Sequence, residues 1–129
     1  MKDASIEVVH NGIDLGFFYP SDKPYEDYKI LSIASSDVPM KGLDFMIKAF
    51  PEIKKNYPKA KLSVLGKIRE EGHTERLINS LDLKDDINFV SGLSHSELRE
   101  QYCSSHVVVI PSLYEGFGFG FHSQITAGP

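Results

Sequence analysis

Tryptophan is absent from this chain of 129 residues, and cysteine occurs once, at Cys103. One thiol allows no disulfide within a monomer, which excludes a disulfide-stapled secreted scaffold and makes a reducing, cytoplasmic setting the expectation. No apolar run approaches the ~18 residues of a membrane-spanning helix. The start of the chain, Met1-Lys2-Asp3-Ala4-Ser5, lacks the apolar segment of a signal peptide. Membrane contact is left to a peripheral association of a longer form. Positive charge is also scarce: 14 Lys and Arg stand against 18 Asp and Glu, for a net charge of −4. A nucleic-acid binder needs a basic face, so that class is disfavoured. A small phosphorylated ligand, which needs only one or two well-placed cations, stays open. Internal repeats and low-complexity tracts are missing too.

What is present is a chain of ordinary globular composition, 41% hydrophobic and 25% charged, long enough for one domain with a core of its own. Five short runs rich in β-branched residues, 6–9, 28–34, 61–65, 87–90 and 107–110, read as strands. The last is a continuous apolar run, the pattern of a strand buried on both faces. Between them lie helical patterns. Leu43, Met46, Ile47, Phe50 and Ile53 mark an amphipathic helix that must end near Asn56-Tyr57-Pro58, because proline disfavours helix in the residue before it. Leu77, Ile78 and Leu81 mark a shorter helix after Gly72. Ser94 and Glu97 form a capping box ahead of a third, with Leu98 and Tyr102 on one face. Residues 14–27, with Pro20 and Pro24, read as an irregular linker; His10-Asn11-Gly12 is a turn signal, and Asp14 can cap a short turn through Phe17 and Phe18. The alternation of strand and helix predicts an α/β, Rossmann-like parallel sheet with helices on both faces.

Ligands of such sheets bind beyond the carboxyl ends of the strands. That edge should carry Ser35-Ser36-Asp37 and Lys41-Gly42, then Gly66-Lys67-Ile68-Arg69, then Ser91-Gly92, then Pro111-Ser112-Leu113-Tyr114-Glu115-Gly116-Phe117-Gly118. Glycines, hydroxyls, cations and one carboxylate together suit a phosphorylated ligand with sugar hydroxyls. A helix start offers free N–H groups to a phosphate, and Lys41 adds a full charge just before one. Taken singly, each feature has a plainer reading. Lysines are ordinarily solvated, and Lys67 and Arg69 have Glu70 and Glu71 beside them as surface ion-pair partners. Asp85-Asp86 reads as a polar turn rather than a metal site, and His73 and His95 as isolated and solvent-facing. Cys103 reads as a buried structural thiol. Gly116, Gly118 and Gly120 do not fit the dinucleotide fingerprint.

In order along the chain, five segments carry a family resemblance. They are Val9-His10-Asn11-Gly12-Ile13-Asp14 with Phe18 and Pro20; Pro39-Met40-Lys41-Gly42-Leu43-Asp44; Leu62 to Gly66; Ile87-Asn88-Phe89-Val90-Ser91-Gly92 with Leu98 and Tyr102; and Pro111-Ser112 through Glu115-Gly116-Phe117-Gly118. Together they resemble the C-terminal, nucleotide-sugar-binding domain of the group 1, family 4 retaining glycosyltransferases, half of a GT-B fold. The likeness runs over residues 6–119 of a single domain, 1–129, with 120–129 a divergent tail. It implies a nucleotide-diphosphate sugar as donor, transfer with retention to a sugar, lipid or other acceptor held by an N-terminal domain, and no metal or other cofactor. Lys41 and Glu115 are the implied catalytic pair, Lys41 neutralising the leaving diphosphate. Ser35, Gly42, Gly66, Lys67, Val90, Ser91, Gly92, Leu93, Gly116, Phe117 and Gly118 are the implied donor contacts, with residues 90–93 at the base.

Three departures qualify the likeness. Where the family has Gly-Arg-Leu after its strand, this chain has Ala34-Ser35-Ser36-Asp37, one residue more and one cation fewer. Where the family has a second glutamate, eight positions after the first, this chain has Ser123. Against the family's pattern, the chain is expected to lack the acceptor domain and the last strands and helices of this one, and in isolation to transfer poorly or not at all. The alternative is a catalytically inactive remnant or accessory subunit that keeps the fold. An unrelated receiver-like domain lacks the acidic strand-end cluster it would need. An incomplete sheet should also leave an open edge, and self-association is expected from it.

Overall fold

The computed structural model describes residues 7–9, 12, 14–34 and 36–114. Four strands, β1 (Glu26–Ile33), β2 (Lys61–Leu65), β3 (Ile87–Val90) and β4 (Ser105–Val109), alternate with three helices, α1 (Leu43–Asn56), α2 (His73–Ser80) and α3 (His95–Cys103). All pairings are parallel and the strand order is β3-β2-β1-β4. The chain therefore winds outward from β1 to β3, then returns to the other side of β1.

Alternation along the strands sorts side chains into two layers. Ile30, Leu62, Val64 and Ile87 meet Leu43, Met46, Ile47 and Phe50 of α1 and Ile78 of α2 in the larger core. Leu31 meets Tyr102 and Cys103 of α3 on the opposite face, with Phe18, Ile33, Leu65, Leu98 and Val108 packed around them. Helices thus cover both faces, as the pattern predicts. Burial pushes the Tyr102 phenol up to about 12, and Cys103 is buried as expected.

The helix boundaries follow local chemistry. α1 ends at Asn56, just before Tyr57-Pro58. Pro51 lies within it and removes one ladder N–H; four buried apolar residues on one face hold the helix across that gap. α3 starts at a complete capping box: Ser94 Oγ accepts from the Glu97 N–H, and Glu97 accepts from the Ser94 N–H. The Ser94 hydroxyl and backbone N–H hold the Glu97 carboxyl below its ordinary range. At the opposite end of the sheet, Asp86 takes ion pairs from Lys54 at 2.9 Å and Lys61 at 2.7 Å. Asp85-Asp86 is thus a structural turn, and no group of three or more metal-ligating side chains occurs among the described residues.

Three strand expectations need correction. Glu7, Val8 and Val9 lie in no strand, and Val8 and Val9 are largely exposed; β-branched composition alone does not make a strand without a neighbour to accept its N–H groups. Ile6 lies outside the described residues. β1 starts at Glu26, two residues early, across an irregularity between Glu26 and Ile30 where Tyr28 takes a positive φ of 64°. The run 107–110 is not a strand buried on both faces. β4 begins at Ser105, ends at Val109 and pairs only with β1 among the described residues, leaving Val107 45% exposed.

Candidate functional site

The strand order locates the candidate site. β2 and β4 flank β1, and the connections leave β1 and enter β4 from different directions, so the switch point of this sheet lies beyond the carboxyl ends of β1 and β4. The segments that emerge there are 34–42 and 110–114.

These two segments touch. Gly42 has a φ of +67°, and a Cβ at that position would stand 1.9 Å from the Pro111 carbonyl oxygen. Only glycine allows both the left-handed backbone and this approach. The Leu113 N–H donates to the Met40 carbonyl at 2.9 Å. A single 3-10 turn, Pro39–Lys41, precedes Gly42, which is the N-cap residue of α1 with no side-chain cap. Lys41 is half-buried at this junction. The Ser112 hydroxyl is buried there with no partner among the described residues.

The segment after β1 is also fastened to the segment after β2. Ser36 Oγ donates to the Lys67 carbonyl at 2.8 Å and accepts from the Arg69 N–H at 3.0 Å. Asp37 and Thr74 exchange two bonds: the Asp37 N–H donates to Thr74 Oγ1 at 3.0 Å, and the Thr74 N–H donates to Asp37 Oδ1 at 3.2 Å. Gly72 packs so closely on Asp37 that a Cβ there would lie 2.4 Å from Oδ2. His73 Nε2 lies 2.7 Å from Asp44 Oδ2, joining the first turns of α2 and α1.

Gly66 extends the ladder by donating to the Val90 carbonyl at 2.9 Å. Beyond β3, Ser91 and Gly92 are exposed, and Gly92 has a φ of +71° with open space where a Cβ would stand. At ~4.8 Å between strands, β3 and β4 lie ~14 Å apart across the sheet. A ligand touching both ends of this edge must be elongated.

Of the residues singled out in the sequence, Lys41, Gly42, Gly66, Lys67, Val90, Ser91, Gly92 and Leu93 stand on this one edge. Ser35, Glu115, Gly116, Phe117, Gly118 and Ser123 lie outside the described residues. The pairing of Lys67 and Arg69 with Glu70 and Glu71 does not occur; neither cation has an ion-pair partner among the described residues. His73 remains exposed but is not isolated, and the exposed His95 packs edge-on against Phe17. The Asp37–Thr74 exchange was not evident from the sequence, because the two residues are 37 positions apart and neither carries a local motif. Asp14 caps as expected, its Oδ1 accepting from the Gly16 N–H at 2.9 Å.

No helix among the described residues is long and apolar enough to cross a membrane. Residues 18–121 match the family described as "Glycosyl transferases group 1". The chain is 37% identical over 123 residues to the MMP alpha-(1->4)-mannosyltransferase of Mycolicibacterium hassiacum, covering 95% of this chain and 29% of that protein. It is 28% identical over 127 residues to the D-inositol 3-phosphate glycosyltransferase of Segniliparus rotundus, covering 88% of this chain and 28% of that one. The chain thus spans under a third of the length of either relative. Among solved structures, the C-terminal domain of LpcC, a glycosyl transferase group 1 family protein of Francisella tularensis, superposes with a TM-score of 0.73 at 23% identity. That match covers 90% of this chain and 67% of that one. TarM of S. aureus, solved with UDP among its ligands, gives 0.76 at 16% identity over 98% of this chain and 24% of that one. The doubly covered parallel sheet is that of a GT-B glycosyltransferase half, and the chain belongs to the group 1 glycosyl transferases.

Proposed function

We propose that this chain is the donor-binding part of a retaining glycosyltransferase and takes a nucleotide-diphosphate sugar along its strand-end edge. The observation that carries the reading is the Gly42–Pro111 contact, which brings Lys41 and the segment leading to Glu115 to one junction at the switch point. In this reading Lys41 neutralises the diphosphate, whose charge grows as the glycosyl bond breaks, so its effect is larger in the transition state than in the ground state. Glu115 and the backbone of residues 116–118 hold the sugar hydroxyls and phosphate. Residues 90–93, at the far side of β2, meet the base. An elongated donor matches the span of the edge, and the UDP in the TarM structure is a ligand of the same kind. No metal takes part; lysine charge does the neutralising.

Sugar transfer belongs to a longer protein with an acceptor domain. There, anomeric retention is read by nuclear magnetic resonance of the first product formed. Binding is tested on this chain by titration calorimetry with UDP and GDP and their hexose conjugates, with and without EDTA. Weak, EDTA-insensitive binding of at least one donor is expected, and Lys41→Ala should abolish it. Equal affinity in the wild type and the variant would remove Lys41 from the site. Ser123, standing where the family's second glutamate is expected, favours a second reading as an inactive accessory chain. Transfer of radiolabelled sugar by the longer protein excludes that reading, and donor binding without transfer supports it.

A further inference from the structure

We propose that Ser36 and Asp37 are positioning residues that hold the segment 67–69 against the donor's diphosphate, so that Lys67 and Arg69 supply the positive charge that Lys41 alone does not. The inference rests on the donor-binding reading above. A nucleotide diphosphate carries at least two negative charges, whereas the junction of the segments after β1 and β4 holds one described cation, Lys41. The next strand end, that of β2, carries two more within three residues. Both are exposed and neither is taken up by a carboxylate among the described residues, although Glu70 and Glu71 follow directly.

A loop between a strand and a helix would ordinarily leave such side chains on a mobile backbone. Here the backbone is fixed on both sides of Ile68. One hydroxyl, Ser36 Oγ, holds the Lys67 carbonyl and the Arg69 N–H together. The loop's far end is held by Asp37, whose carboxylate accepts from the second N–H of α2, a bond that the N-cap residue Gly72 has no side chain to make. Asp37 adopts a φ of +56° at this point; aspartate tolerates the left-handed region better than most residues, and the two Thr74 bonds offset the cost. Its second oxygen, buried against Gly72, has no partner among the described residues. That arrangement withdraws the carboxylate from the edge, where it would oppose an anion. Serine and aspartate at 36 and 37 thus attach the cations of a neighbouring strand end to the site through backbone bonds.

The test is a double-mutant cycle read as affinity of the whole chain for UDP, GDP and inorganic pyrophosphate. Ser36→Ala should weaken the best of these about tenfold in the wild-type background and flatten its salt dependence, as expected when placed charges are released. In the Lys67→Ala/Arg69→Ala background it should have little effect. Ser36→Thr, which keeps the hydroxyl, should restore affinity, and Thr74→Ser should be silent where Thr74→Val is not. An equal loss from Ser36→Ala in both backgrounds, or no loss in either, overturns the proposal while leaving the donor reading intact. A wild-type chain that binds none of the three probes overturns both. Thermal unfolding of each variant separates loss of the fold from loss of placement.

Discussion

At the scale of single residues, Gly42 joins two demands that no other side chain meets together. Its φ of +67° turns the chain from the 3-10 turn into α1, and its bare Cα admits the Pro111 carbonyl. Gly42→Ala would place a methyl group 1.9 Å from that oxygen, so either α1 or the segment after β4 must retreat. The expected cost is ~2–4 kcal/mol of stability, from strain in the left-handed region and overpacking together. Urea unfolding measures it; an unchanged midpoint would mean that the two segments do not press on one another. In the proposed donor-binding reading Lys41 acts at the same junction as charge, so its replacement should affect binding far more than folding. His73 and Asp44 show the limit of residue-by-residue reading. A lone histidine near a helix start reads as solvated, yet it meets an aspartate 29 positions away.

At the scale of elements, Asp86 ties the end of α1 to the start of β2. It accepts from Lys54 and Lys61, and Lys54 also donates to the Ala60 carbonyl at 3.4 Å and to that of Pro58. The Lys61 hydrogen bond, aided by Lys54, holds the Asp86 carboxyl below its ordinary 3.8 against the opposing effect of desolvation. Because the folded value is the lower one, the unfolded chain takes up the proton first as the pH falls. The contribution of Asp86 is therefore complete above 3.8 and is lost as the pH drops through the folded value. Asp86→Asn should destabilise the chain at neutral pH, by ~1 kcal/mol for a charge-assisted link at a partly open site. The gap between variant and wild type should close on acidification. Denaturation midpoints from neutral to strongly acidic pH would show it, and a gap independent of pH would assign the link to hydrogen bonding without charge.

On the scale of the whole molecule, the sheet ends in two edge strands. β1 and β2 are paired on both edges, whereas β3 and β4 have no outer neighbour among the described residues, and apolar surface lies beside β4. Tyr28, Tyr57 and Val107 stand exposed around a cleft of about 430 Å³ beside that edge. An open parallel edge next to apolar surface is a template for another strand. The isolated chain should therefore self-associate with rising concentration, and Val107→Lys, which puts a charge on the edge, should return it to a monomer. Sedimentation that finds the wild type monomeric throughout would contradict this. The same edge bears on the sequence reading. Consecutive valines at 107–109 predict full burial, but burial on a sheet depends on neighbours in space, and among the described residues β1 is the one strand paired with them.

Periodicity by itself determined the parallel α/β class, the two covered faces, the extent of α1 and the capping box of α3, because these depend on residues within a turn or two of one another. The order of motifs also determined the family and the strand-end edge, since four of the five motifs run along a strand or follow one. Only the tertiary structure decided the strand order, and with it the switch point where Gly42 meets Pro111. It also decided which polar residues of that edge are bound to one another. Ser36 reaches across 31 and 33 positions to Lys67 and Arg69, and Asp37 across 37 to Thr74. Contacts at such separations follow from how parallel strands stack side by side, which local spacing does not encode.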